Sequence, residues 1–342
     1  MKQLSNQLQE WDRLRTLAYQ HYKRGEFEEY LNFSKENLKL ARMLGDRDRT
    51  REGHALNDVG LAYISCQQYQ NALNFFHQAL FIAQEIRNKQ AEATTRSNLG
   101  STFSHLGQLT QALEQFERSL PLFRQVGDLQ GEISALNNLA LLYTKLNEPK
   151  RALLLHHQIL SMRRLLNDFS GEAVTLNSIG FTYSALGQPE QALSFFQQSL
   201  PIQRAVKNRG AEATTLNNIA SMYVQLGRPQ EALLLYHQVL LNCQTTGDRA
   251  GEATALHNLA FTYSILGNQG QALEFYERAI ALYQQLCDRA GEVTALLNIG
   301  SIYAAQKQKN MAKSLYMNAQ NLVRQINHQP LAKKVQQLLD AL

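Results

Sequence analysis

Cysteine is scarce: Cys66, Cys243 and Cys287 are the only three in 342 residues, odd in number, far apart and without metal-ligand spacing. That argues against a disulfide framework and suits a reducing compartment. No apolar run approaches the roughly 18 residues of a membrane span, and the opening MKQLSNQLQEWDR has no apolar signal core, so a soluble cytoplasmic protein is expected. Charge of one sign is also lacking in blocks: 34 basic and 29 acidic residues give a net charge of +5, with a pI near 9.0. A nucleic-acid reader needs a basic stripe interleaved with stacking aromatics, and here the aromatics fall into regular apolar columns, which argues against nucleic acid.

Catalytic signatures are missing too. There is no glycine-rich phosphate loop, nucleophile elbow or His-Glu-x-x-His phrase. His156 and His157 are adjacent and so point about 100° apart on a helix, which is wrong for a metal pair at i, i+4. The expectation is a non-enzyme with no metal and no cofactor.

What is present is repetition. Glu52, Glu92, Glu132, Glu172, Glu212, Glu252 and Glu292 recur every forty residues, and the surrounding segments align without a gap from residue 52 to about residue 320. One column holds Gly60, Gly100, Ala140, Gly180, Ala220, Ala260 and Gly300; three residues on stand Tyr63, Phe103, Tyr143, Tyr183, Tyr223, Tyr263 and Tyr303. Nine further on comes an alanine column from Ala72 to Ala312, and four after that Phe76, Phe116, His156, Phe196, Tyr236, Tyr276 and Tyr316. Leu136, Leu139, Tyr143 and Leu146, like Leu113, Phe116 and Leu120, follow the three-and-four spacing of an amphipathic helix. Each unit is therefore expected to be a helical hairpin, with small columns allowing close helix approach and aromatic columns filling the space between neighbouring pairs.

The punctuation agrees. Gly107, Gly187, Gly227 and Gly267 stand where a left-handed residue closes a helix, and Pro149, Pro189 and Pro229 follow where a new helix needs no amide hydrogen. Asp128, Asp168, Asp248 and Asp288, with the recurring Glu, put negative charge at the next helix start, so these carboxylates read as structural. Pro121 and Pro201 fall inside second helices, where a bend is expected.

This order of small residue, aromatic, Ala and aromatic resembles the tetratricopeptide repeat over about residues 6 to 327. The forty-residue length, the Gly-Asp-x-x-Gly-Glu linker and the Asn-Asn-Leu-Gly/Ala phrase are similar to the long-repeat branch seen in kinesin light chain, spindle-orientation adaptors and bacterial arrays, with a longer second helix than the common unit. The resemblance implies an all-α, right-handed α-solenoid forming a single domain over 1–342. Its eight units fall at about 6–46, 50–87, 90–127, 130–167, 170–207, 210–247, 250–287 and 290–327, and a capping helix follows at about 330–342. The first unit diverges and joins its neighbour through GDRDRTREG, two residues longer than the standard linker. Trp11 is expected to pack as a cap, while Lys313 and Gln320 replace leucines and make the last hairpin's outer side polar.

In that family the first helices line a concave groove. Carried onto this chain, two adjacent columns face it: Asn57, Ser97, Asn137, Asn177, Asn217, His257 and Leu297, then Asp58, Asn98, Asn138, Ser178, Asn218, Asn258 and Asn298. Asparagine is a poor helix former, so its recurrence needs a reason. A carboxamide matches the alternating groups of an extended peptide backbone; the other reading is that each Asn bonds a neighbouring helix and organises the stack. Ser101, Ser104, Thr144, Lys145, Ser184, Ser221, Gln225 and Ser264 extend the wall, with Leu141, Phe181 and Phe261 as apolar patches. These two columns carry no Lys or Arg, which argues against a clamp for chaperone C-terminal carboxylates. The function expected is a non-catalytic adaptor or scaffold binding a protein or peptide segment; the alternative is a peptide-sensing regulator whose superhelix changes shape when a small signalling peptide binds.

Overall fold

A computed structural model describes residues 2–45 and 49–342, with side chains from residue 6 onward, so part of the GDRDRTREG linker lies outside the described residues. Seventeen helices, and no strand, are found among them. The helices pack into two units that divide between Leu166 and Asn167. The first holds α1 (Lys2–Arg24), α2 (Phe27–Met43), α3 (Arg49–Ser65), α4 (Tyr69–Glu85), α5 (Lys89–His105), α6 (Leu109–Val126), α7 (Leu129–Lys145) and α8 (Pro149–Leu165). The second holds α9 (Phe169–Ala185), α10 (Pro189–Ala205), α11 (Arg209–Gln225), α12 (Pro229–Thr246), α13 (Arg249–Ile265), α14 (Gln269–Gln285), α15 (Arg289–Ala305), α16 (Lys309–Ile326) and α17 (Gln329–Asp340).

Helix starts follow the expected chemistry. The side chains of Asp128, Asp168, Asp248 and Asp288 each accept from a glycine amide three residues on, all at 2.9 Å, and Asn88 and Asn208 do the same for α5 and α11. Six of the recurring Glu residues also tie their helix to the preceding one within a unit. Gln84 donates to Glu92, Arg124 to Glu132, Arg204 to Glu212, Gln244 to Glu252 and Gln284 to Glu292, always from eight residues upstream, at 2.6–3.1 Å. For Glu52 the donor is Arg42, ten residues upstream at 3.2 Å, as the longer linker requires.

The alanine column is fully buried from Ala72 to Ala312. The second aromatic column packs inside each hairpin against the small column, rather than between neighbouring pairs: a Cβ at Gly60, Gly100 or Gly180 would stand 2.5, 2.7 or 2.6 Å from the ring of Phe76, Phe116 or Phe196. A side chain at these three positions would force the facing ring to shift. The first aromatic column stacks on a ring twelve residues ahead, as in Tyr63–Phe75, Tyr183–Phe195 and Tyr263–Phe275, with centroids 5.3–5.5 Å apart.

Trp11 is buried, with Arg15 and Arg51 over its ring. At the other end α17 continues the forty-residue register from α15, so it is the first helix of a ninth unit. His328 caps it where Asp288 and Asp248 cap theirs, accepting from Leu331 at 3.3 Å. Gln336 and Asp340 stand where Leu296 and Gly300 receive a second helix, and they bond each other at 2.7 Å. Gln320 does not simply make the outer side of α16 polar: its amide donates to Gln336 of α17 at 3.2 Å.

Candidate partner-binding site

First helices of successive hairpins touch one another, α3 with α5, α5 with α7, α13 with α15 and α15 with α17, and second helices do not to the same extent. Within each unit the first-helix side is therefore the inner side. The asparagine columns lie on it by helical spacing.

The two columns are partners. At Asn98, Asn258 and Asn298 the second-column residue bonds the first-column residue of the preceding hairpin, so these side chains form rungs that pin successive first helices together. Asn98 Nδ2 donates to Asn57 Oδ1 at 2.9 Å and Asn258 Nδ2 to Asn217 Oδ1 at 2.7 Å, each pair 41 residues apart. Asn298 Nδ2 meets His257 Nε2 at 3.3 Å, and Asn138 Nδ2 reaches one turn further to Ser101 Oγ at 3.3 Å. Lys145 Nζ bridges in the same sense to Ser104 Oγ at 2.9 Å. Burial pushes the His257 imidazole down to about 4, with Lys334 of α17 adding to the effect, so this rung uses a neutral ring at physiological pH.

The first hairpin supplies a rung that the sequence register missed. Shifted by the two extra linker residues, Arg15 stands in the first column, and its Nε donates to Asp58 Oδ2 at 2.9 Å across 43 residues. The expectation that these columns carry no Arg is corrected at this position. Burial raises the Asp58 carboxyl and Arg15 acts against it. Cavities lie on both sides of this ion pair: one of about 210 Å³ reaching His54, Asn57 and Thr94, and one of about 490 Å³ walled by Tyr19, Tyr22 and Tyr30. The forty-residue spacing counted with a 42-residue first step would have found Arg15 and Tyr19.

Asn57, Asn98, Asn137, Asn138, Asn177, Asn217, His257, Asn258 and Asn298 are half-buried, as are Ser101 and Ser221, whereas Thr144, Lys145 and Gln225 are exposed. Asn218 is buried. A carboxamide in a closed rung uses one proton or one lone pair, so each retains hydrogen-bonding capacity. One turn beyond the first column on their own helices, Leu141 in the first unit and Phe181 and Phe261 in the second are 60%, 51% and 45% exposed. The last rung position is apolar: Leu297 is fully buried in the cluster that α17 joins. Among the described residues no group of three or more His, Cys, Asp or Glu side chains could hold a metal ion.

Tandem helical hairpins with a small-aromatic-alanine-aromatic core define a helical repeat protein. Six overlapping matches to the tetratricopeptide repeat family model, at residues 52–125, 91–165, 132–205, 171–240, 211–285 and 251–325, cover most of the chain, and it belongs to that family. No curated protein matches it. Among solved structures it is similar to a STAND signal-transduction ATPase with a tetratricopeptide repeat sensor from Pyrococcus horikoshii (TM-score 0.72, 14% identity, 95% of this chain and 50% of that one). This chain thus spans half the length of that ATPase. It is also similar to the quorum sensor NprR from B. thuringiensis in its apo form (0.65, 18%, 94% and 99%) and to a kinesin light chain protein of Podosopora anserina (0.51, 19%, 57% and 96%). Identities this low show a shared fold. No helix among the described residues is long and apolar enough to cross a membrane.

Proposed function

We propose that the chain is a non-catalytic interaction module that holds an extended segment of another protein, or a peptide, along the first helices of a unit. The observation that carries this reading is the first-helix face within each unit: half-buried carboxamides with spare hydrogen-bonding capacity, flanked by Leu141 in the first unit and by Phe181 and Phe261 in the second, large apolar side chains left open to solvent. Backbone groups of the segment would meet the carboxamides and its apolar side chains the exposed rings. The unbroken forty-residue register supports counting the whole as one repeat domain. Arg15, the one cation in the two columns, is held by Asp58, which supports a mode other than a carboxylate clamp.

The test is affinity capture with Leu141→Asp and Phe261→Asp beside Leu154→Asp and Leu234→Asp, which are 72% and 74% exposed on second helices. The first pair is expected to lose the partner and the second pair to keep it; the reverse pattern would move the binding surface to the second helices. A peptide-sensing regulator is the second reading, supported by the end-to-end correspondence with a quorum sensor, 94% of this chain and 99% of that one. Small rotations at each rung would then add up along a stack.

A further inference from the structure

One slot between hairpins lacks the side chain that fills its counterparts. Counted at forty residues, Ala83 of α4 stands in the column of Phe123, Arg163, Gln203, Cys243, Tyr283 and Val323. Phe123, Cys243 and Tyr283 each reach from a second helix to the first helix that follows, where a Cβ on Gly131, Gly251 or Gly291 would collide with them. The one other alanine of the column, Ala41, shares its cluster with the large ring of Trp11. At Ala83 the space is instead a cavity of about 210 Å³.

Its walls are those of the filled slots with less in them. Ala79, Ile82 and Ala83 close it from α4, and Ala91 and Thr95 from α5. Gly53 of α3 enlarges it further, because the same column continues as Ala93, Ile133, Ala173, Ala213, Ala253 and Val293, every one with a side chain. An apolar cavity of about 150 Å³ is enough to take up benzene. One six-membered ring therefore fits.

Tyr283 shows how the polar end of such a ring is met. Its ring is buried, its hydroxyl hydrogen-bonds the Thr254 side chain, and His257 lies edge-on with ring centroids 6.3 Å apart. Five repeats earlier, Thr254 corresponds to His54 and His257 to Asn57, and both line the cavity. Burial pushes the His54 imidazole down, with Arg15 and Arg51 adding to the effect and Asp58 acting against it, so the ring is neutral at physiological pH and keeps a lone pair for a hydroxyl proton. Beside it Arg15 and Asp58 compensate each other. A charged ligand would lose its hydration without gaining a counter-charge, which favours an uncharged one.

We infer that the Ala83 slot binds a small free phenol, its ring taking the place of the missing side chain and its hydroxyl donating to His54. An untethered ring lies toward Gly53, clear of the Ala91 methyl, whereas a ring rooted at position 83 would meet that methyl as Phe123 would meet a Cβ on Gly131. The bound molecule touches α3, α4 and α5 at once and so couples two successive hairpins. This site goes beyond the partner-binding reading, and neither depends on the other.

The test is titration of the full chain, 13C-labelled at its isoleucine methyls, with 4-methylphenol. Ile82 and Ile86, which line the cavity, are expected to shift saturably while Ile133 and Ile159 of α7 and α8 stay in place. Ala83→Phe combined with Ala91→Gly copies the Phe123–Gly131 pair and should abolish the shifts, with helicity and urea midpoint held or raised. His54→Val copies Val174 and should weaken 4-methylphenol about tenfold, the worth of roughly one good hydrogen bond, to the level of toluene, whose own binding it leaves unchanged. Shifts that persist in the double variant, or 4-methylphenol no tighter than toluene on the wild type, would overturn the inference. Shifts of Ile82 and Ile86 absent with 4-methylphenol but present with an acetylated, amidated heptapeptide carrying a central tyrosine would also overturn it, and would give the slot to a partner's side chain under the partner-binding reading.

Discussion

Gln67, Arg87, Asn147, Asn167, Lys207, Cys287, Lys307 and Asn327 are all in the left-handed conformation, with φ of 48–62°, at the ends of helices. They alternate with Gly107, Gly127, Gly187, Gly227, Gly247 and Gly267 at the same turn position, once every twenty residues. An L side chain there costs about 1–2 kcal/mol, and glycine returns roughly 0.5–1 kcal/mol through the entropy of the unfolded chain. Lys207→Gly is therefore expected to stabilise the protein by about 0.5–1 kcal/mol, read as a higher urea midpoint with an unchanged slope; a lower midpoint would show that the lysine stem packs usefully. Six of these fourteen turns were legible in the sequence because glycine marked them. The others were not, since no composition signal distinguishes Lys207 from a helical lysine, and only the period could place it.

Between elements, the recurring Glu is more than a helix-start charge. Glu92 receives Gln84 from α4 and is paired with Arg96 at 2.9 Å on its own helix, both side chains nearly buried. Burial alone would raise its carboxyl, but hydrogen bonds from Gln84, Arg96 and Lys89 together hold it below the usual 4.5. A folded value below the unfolded one means that the pairing stabilises fully above about 4.5 and is lost as pH falls through the folded value. Protection of the α4–α5 amides from hydrogen exchange is expected to drop in that acid range, and Glu92→Gln to flatten the dependence; an unchanged profile would mean that other carboxylates set it. The asparagine columns show a similar limit of sequence reading. Their existence was plain, but their pairing was not, because helix periodicity reports which face a residue occupies and says nothing of the neighbouring helix that its carboxamide reaches. Arg15 was missed for a different reason: the linker before α3 is two residues longer, which shifts the first hairpin out of the forty-residue frame.

Within each unit, hairpins bury their cores against their neighbours, so damage should stay near where it is made. Helix α17 offers the clearest case. It lies in register as a ninth first helix, Val335 is completely buried, and the cluster it joins contains Val293, Leu296, Leu297, Tyr316 and Val323. Gln336 and Asp340 bond each other on α17, and Lys334 bears on the neutral His257 of the Asn298–His257 rung. Placing a carboxylate in this apolar cluster is costly enough, several kcal/mol, that the helix should detach before the charge is buried. Val335→Asp is thus expected to raise hydrogen exchange in α15, α16 and α17 and to loosen the Asn298–His257 rung, while α9 to α12 keep their protection. If exchange rose equally from α9 to α16, folding would be a single cooperative event across that unit, and the neighbour-by-neighbour account of its stability would fail.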